Sequence, residues 1–342
     1  MNIRTITETA IHALDHAASK AGNTVFKAKP SLMIFVFHGL FINSAEIEKN
    51  LVDPQQNVTV DGFRKFVEYF YYRKYSFVSP EDILNGLDNG ISHIMITFDD
   101  GYYNNIRALP ILREFKIPAV FFITTNNVKH NTSFWWDIIY RENRKRGVGL
   151  DKIAAEEQLL KKKTVKQIKE YIHDKYGRGA FNPVGDTDRP FTPEELKKFS
   201  EQDFVSLGNH TSDHAILTGY PPGQICARIT EAQSYLHGLT GKWPAIISYP
   251  NGSHSPKVTD VSRELGLHLG VTLEEKKNLL PLVKIKNKIA LGRFFLLGGR
   301  DINRQCDILC SDIMLYIRLK NILKTFIPFL FSPHICFDKD KK

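Results

Sequence analysis

At 342 residues, with 42% hydrophobic and 24% charged side chains, the chain is long and apolar enough to bury a full core in one large domain, or in one domain with an appendage. Its formal charge of +9 is lopsided, because residues 276–342 hold 14 basic and 5 acidic residues and the remainder is neutral. Four cysteines, Cys226, Cys306, Cys310 and Cys336, show no C-x-x-C spacing, which argues against a cysteine-based zinc site and suits free thiols in a reducing compartment.

The opening stretch MNIRTITETAIHALDHAASKAGNTVFK is charged throughout and lacks the uninterrupted apolar run of a secretory signal. It is read as a helical segment over 1–30, and the protein as intracellular. Apolar and β-branched runs follow at 32–37, 93–98, 119–124, 204–208, 245–249, 268–272 and 289–297. Most lack strict alternation, which predicts strands buried on both faces, as parallel strands are. Helical patterns lie between them: TVDGFRKFVEYFYYRKY puts Phe63, Phe66, Val67 and Phe70 on one face, NNIRALPILREFK comes later, and ICARITEAQSYLHGLTG stops at Gly241. Such alternation predicts an α/β fold, either a parallel barrel or a doubly wound sheet. In both, ligands bind at the carboxyl ends of strands.

At one such end, IMITFDDGYYNN runs a strand into Asp99, Asp100 and Gly101. Two explanations fit: an Asx turn with a glycine at positive φ, or two carboxylates with separate tasks, one binding a cation and one moving a proton. Residues 126–200 then separate two strands by more than an ordinary connection, and the polar helical pattern marks an insertion over about 138–195. It opens with FWWD, where Trp135 and Trp136 suit either stacking on a sugar ring or burial. After the next strand, NHTSDHAIL places His210 and His214 four apart. A brief coil would aim both imidazoles at one cation, and two histidines with one carboxylate are a common catalytic metal set. The spacing alone is a weak signal; its place after a strand strengthens it.

The C-terminal DIMLYIRLKNILKTFIPFLF recurs at helical spacing with Arg318, Lys320 and Lys324 between apolar residues. No stretch reaches the ~18–20 uncharged apolar residues of a membrane span. A basic amphipathic extension over 301–342 fits either a helix lying on an anionic membrane surface or one docked on the body. No RRM, zinc-finger or helix-turn-helix pattern accompanies the basic residues, so a nucleic-acid partner is not expected.

TFDDG (97–101) and HTSDH (210–214) resemble the first two motifs of the polysaccharide deacetylases, the NodB-homology group of carbohydrate esterase family four. The likeness runs in order through KIPAVFFITTNNV, FWWD, FTPEELKKF, HAILT, LTGKWPAIISYPNG and RELGLHLGVT, over roughly residues 32–297. It implies a distorted (β/α) barrel of about seven parallel strands over 31–300, and removal of acetyl groups from saccharides with one divalent metal, zinc first, with cobalt, nickel, iron or manganese as alternatives. By the same resemblance Asp99 is the general base, and Asp100, His210 and His214 are the metal ligands. The turn SYPNG (248–252) supplies an oxyanion donor at Asn251, beside Tyr249. Apart from the resemblance, Trp135 is the candidate aromatic substrate contact, with buried packing as the alternative.

The chain also departs from the family pattern. Ser248 stands where the arginine that holds the base is usual, Asn251 stands where a tyrosine is usual, and GRFFLLGGRD lacks the histidine of the fifth motif. Arg293, in the last predicted strand, is the candidate to orient Asp99, with an ordinary surface arginine as the alternative. His38, ending the first strand, is the candidate general acid, ahead of His254 and His268. Competing readings are a non-catalytic carbohydrate-binding relative and a metal-dependent amidase acting on a small non-sugar amide. An intracellular enzyme of this kind would meet a lipid- or nucleotide-linked amino sugar bound for a surface polysaccharide, with the C-terminal helix resting on the inner membrane face.

Overall fold

The computed structural model describes residues 28–282 and 288–314. Among the described residues nine strands form one sheet: β1 (Ser31–Phe37), β2 (Ser76–Phe77), β3 (His93–Phe98), β4 (Ala119–Ile123), β5 (Val205–Asn209), β6 (Ile246–Ser248), β7 (Leu269–Val271), β8 (Asn278–Leu279) and β9 (Phe294–Phe295). The main order is β7-β6-β5-β4-β3-β1-β8, with β2 on β3 and β9 on β1. Every pairing is parallel except that of β1 with β8. The sheet curls into a half-barrel, the distorted (β/α) barrel that the resemblance implies.

The absence of alternation in β1 has a direct cause. Met33, Phe35 and Phe37 face outward into the core beneath the helices, whereas Leu32 and Ile34 face inward with Met95, Val120, Phe122 and Leu291. The helix Val60–Tyr72, capped by Thr59, lays Phe63, Phe66 and Phe70 on that outer face. Their rings meet Phe35 and Phe37 at 4.8–5.3 Å, mostly edge to face, a geometry that suits aromatic quadrupoles. Each such side chain contributes about 1.5–3 kcal/mol by burial.

Register sets the site. Phe37 pairs with Phe98, so β1 and β3 end together and His38 lies level with Asp99. Ile123 pairs with Asn209, and Asn209 with Ile247, which brings the ends of β4, β5 and β6 to the same rim.

Two features differ from expectation. The two-residue strands β2 and β8 carry too little sequence to show a period. The run 289–297 forms a ladder only at β9 and through a single bridge from Leu291 to Val271, because its backbone finds other partners: Asn278 bonds both the N–H and the C=O of Gly292, and Arg293 N–H donates to Glu274 O.

Between β4 and β5 the helices Trp135–Lys145, Leu150–Leu160 and Val165–Tyr176 share a small core of Ile138, Ile139, Ile153, Leu160, Ile168 and Ile172. A buried pair, Arg141 to Asp188 at 2.6 Å, fastens its return. Helix Ile302–Cys310, beyond the expected boundary at 300, buries Cys306, Leu309 and Cys310 in the main core. The expected N-terminal helix up to residue 27 and the C-terminal helix from residue 315 lie outside the described residues. No described helix is long and apolar enough to cross a membrane.

Candidate active site

The paired aspartates form a turn, and their carboxylates meet different partners. Asp100 and Gly101 take φ of 76° and 88°, and Gly101 N–H donates to Asp99 O. Left-handed backbone at Asp100 sends the two carboxylates different ways. A side chain at Gly101 would meet Ile123 at 3.2 Å besides being strained at that φ.

Asp99 turns toward Arg293. The guanidinium donates to Asp99 Oδ1 and Oδ2, each at 2.7 Å. It also donates to Thr97 Oγ1, Ser248 Oγ and Thr272 O, so all five N–H donors are used. Ser248 Oγ in turn donates to Asp99 Oδ2 at 3.0 Å. Burial alone would raise the Asp99 pKa, but the charge and hydrogen bonds of Arg293 hold it well below the usual carboxylate range. The arginine missing from position 248 is thus matched in space by one from position 293. Arg293 is fully buried, which excludes the surface alternative.

Asp100 turns toward the histidines. Its Oδ1 lies 3.4 Å from His210 Nε2 and 3.5 Å from His214 Nε2, and the three ligand atoms fall within 4.8 Å of one another. Metal bonds of ~2.0–2.1 Å at tetrahedral angles would place donors about 3.3 Å apart, close to the two separations from Asp100, so the trio could hold one small divalent cation. His210 Nδ1 donates to Ser248 O at 2.7 Å, which leaves Nε2 as the ligand nitrogen. Burial, reinforced by the neighbouring His210, pushes the His214 pKa down to about 3, whereas the carboxylates of Asp99 and Asp100 outweigh burial and raise that of His210, so binding a cation there would displace a proton from His210. The convergence does not come from the coil expected at 210–214. Thr211 and His214 take φ of 63° and 53°, and Asn209 Oδ1 accepts from Thr211 N–H at 2.7 Å, so a turn rather than a helical face aims both rings.

A polysaccharide deacetylase family model matches residues 87–270, more than half of the chain. The chain belongs to the polysaccharide deacetylase family. Among solved structures, a Streptococcus pyogenes deacetylase in complex with acetate is 17% identical, with TM-score 0.56 over 82% of this chain and 99% of that one. A de-N-acetylase from Aggregatibacter actinomycetemcomitans is 14% identical, with TM-score 0.55 over 81% and 99%. IcaB from Ammonifex degensii is 18% identical, with TM-score 0.54 over 83% and 98%. These likenesses show the shared fold. No curated protein sequence matches the chain.

The remaining candidates of this deacetylase-family chain divide into those at the rim and those committed elsewhere. His38 is half-buried at the end of β1, level with Asp99 at the end of the neighbouring β3. Asn251 sits exposed at φ 56° in the turn after β6. Tyr249 is a correction: its side chain is fully buried, its hydroxyl donates to Ile289 O at 2.9 Å and its N–H donates to Val271 O, so it has no free group for a substrate. Trp135 is half-buried against the insertion core. The indole beside the candidate cation ligands belongs to Trp136, whose ring lies 4.5 Å from that of His214. Trp136 Nε1 donates to Tyr102 OH, which donates to Asp137 Oδ2, both at 2.8 Å. His254 is exposed and stacks on Tyr249. His268 is exposed immediately before β7, at the end opposite the rim. Tyr102 and Gln56 carried no signal of their own in the sequence, since each is a polar residue in a loop or at a helix start, and Asp137 entered only as the last residue of FWWD, with no role assigned.

Proposed function

We propose that this chain is a metal-dependent hydrolase that removes an acetyl group, N-acetyl in preference to O-acetyl, from a saccharide. The observation that carries the reading is the convergence on one rim of a cation-sized Asp100, His210 and His214 trio and an Asp99 clamped by Arg293. A divalent cation held by the trio supplies polarisation of the acetyl carbonyl and lowers the pKa of water toward ~7. Zinc suits the Asp-His-His set best.

Asp99, kept ionised by Arg293, accepts the proton of the attacking water. The same pairing makes it a weak base, so its contribution comes from placement more than strength. A backbone N–H at the Asn251 turn donates to the oxyanion of the tetrahedral intermediate. His38 gives a proton to the leaving nitrogen as the C–N bond breaks, releasing acetate and the free amine. An amine leaves poorly without that proton and an alkoxide leaves more readily, so a histidine in this place favours the amide substrate.

We place the reaction on the cytoplasmic side, on a lipid- or nucleotide-linked N-acetylamino sugar made for a surface polysaccharide. The basic residues after 314 supply a peripheral contact with the inner membrane face. Unchanged membrane partition after deletion of residues 315–342 would count against that contact.

Elemental mass spectrometry of the purified protein and of His210→Ala, beside acetate release from N-acetylated saccharides, tests the central reading. One divalent ion per chain, lost in the variant together with acetate release, is the expected result. No metal uptake after added zinc or cobalt would favour a carbohydrate-binding relative, and turnover of a cyclic ureide in place of N-acetyl sugars would favour the small-amide hydrolase.

A further inference from the structure

Behind His38 sits the amide of Gln56, 6% exposed, contributed by the loop that precedes the first long helix. Its Nε2 lies 2.7 Å from Val36 O and 3.2 Å from Leu296 O. Carbonyl oxygens only accept, so the NH2 group must face them. Turning the amide over would set its oxygen against both carbonyls in a buried place, at the cost of two hydrogen bonds. Oε1 is therefore the atom facing His38 Nδ1 at 2.8 Å. An amide oxygen accepts too, so Nδ1 is the donor and carries hydrogen in both the neutral and the charged ring.

The His38 backbone is held as firmly. Asn105 Nδ2 donates to His38 O at 2.7 Å, and β1 fixes the residue before it. The imidazole thus has one nitrogen committed and Nε2 left for chemistry.

We propose that Gln56 is a positioning residue that locks neutral His38 in the Nδ1–H tautomer, so that Nε2 delivers a proton only after His38 has first gained one. The role of this lock in turnover rests on the reading of His38 as the proton donor to the leaving nitrogen. The ring enters as imidazolium. It passes the Nε2 proton to nitrogen as the C–N bond breaks, and remains as the Nδ1–H imidazole. Solvent then returns a proton to Nε2, and Asp99 releases the one taken from water, so each turnover balances. Because Gln56 is uncharged, it fixes the tautomer without adding a counter-charge beside the ring.

The test is nitrogen-15 NMR of the histidine rings in the full chain, with the His38 signals assigned by their loss in His38→Gln. At a pH where His38 is neutral, the wild-type ring is expected to show a protonated Nδ1 and an unprotonated Nε2. In Gln56→Leu the population is expected to move to Nε2–H, which free histidine prefers, and kcat to fall by about tenfold or more, part of the ~10²–10⁴ that general acid catalysis supplies, with KM little changed. A wild-type ring protonated at Nε2 overturns the lock, and this spectrum decides the matter even where Gln56→Leu fails to fold. An Nδ1–H ring in a wild-type protein that releases no acetate upholds the lock and removes the deacetylase reading, so the two fail separately.

Discussion

Arg293 and Asp99 stand 194 residues apart in sequence and meet in a two-pronged ion pair with both contacts at 2.7 Å. Neither group touches bulk water appreciably. Removing one partner of such a pair leaves the other charged and buried, which typically costs about 3–5 kcal/mol. Arg293→Met is expected to lose stability on that scale by urea denaturation and to lose nearly all acetate release. Arg293→Lys keeps the charge but not the planar fork, so it is expected to recover stability better than activity.

The pair also sets a pH dependence. The Asp99 pKa is depressed in the folded chain, so its stabilising contribution is fully present above the unfolded carboxylate value of about 3.9 and is lost as pH falls from there toward the folded value. Urea midpoints of wild type and Asp99→Asn, measured in chelator from pH 7 to pH 3, are expected to run parallel down to about pH 4–5. Below that the wild type should lose ground relative to the variant. Parallel curves throughout would show that the pair contributes no such term.

Ser248 lies in contact with both charges. Placing arginine there beside a buried Arg293 sets two cations against one carboxylate, so Ser248→Arg alone is expected to destabilise by about 3 kcal/mol or more. Adding Arg293→Ser removes the repulsion and returns the guanidinium to the position usual in the family. The double variant is expected to regain part of the stability and acetate release, read as a double-mutant cycle.

The cation set gives a stability readout that needs no substrate. A ligand bound only by the folded chain at a hundredfold excess over its Kd stabilises by about 2.7 kcal/mol. Zinc at that excess is expected to raise the wild-type melting temperature and to leave Asp100→Asn, His210→Ala and His214→Ala unmoved.

Trp136 is 7% exposed and packs against His214. Trp136→Ala is expected to cost about 3–5 kcal/mol through lost burial and the remaining cavity, and to weaken zinc binding by loosening His214. Trp136→Phe should retain most of both, which calorimetric metal titration would check.

Much of the fold is legible in local sequence, because β1, β3 and β4 are apolar runs buried on both faces. The two-residue strands are not legible, since no period fits in two positions. Nor is the shortened last strand, whose backbone is captured by Asn278 and Glu274 from outside the run. At the site, the ligand types could be named from two short motifs, each carried on one loop. Gln56 could not be picked out from local pattern, and Trp136 could not be preferred over Trp135. Gln56 is defined by a carbonyl 240 residues away, and the choice between adjacent tryptophans depends on the rotation of a helix start against another segment.

The clamp on Asp99 is the last part of the site to be made. Asp99, Asp100, His210 and His214 have all left the ribosome well before Arg293 and β9 are translated, several seconds later at roughly 5–20 residues per second. Until then the three cation ligands can gather while Asp99 lacks its buried counter-charge. Closing of the sheet by the segment that carries Arg293 is therefore also the step that neutralises its interior, so a nascent chain stopped short of it would pair cation-binding competence with an unfinished, charged core.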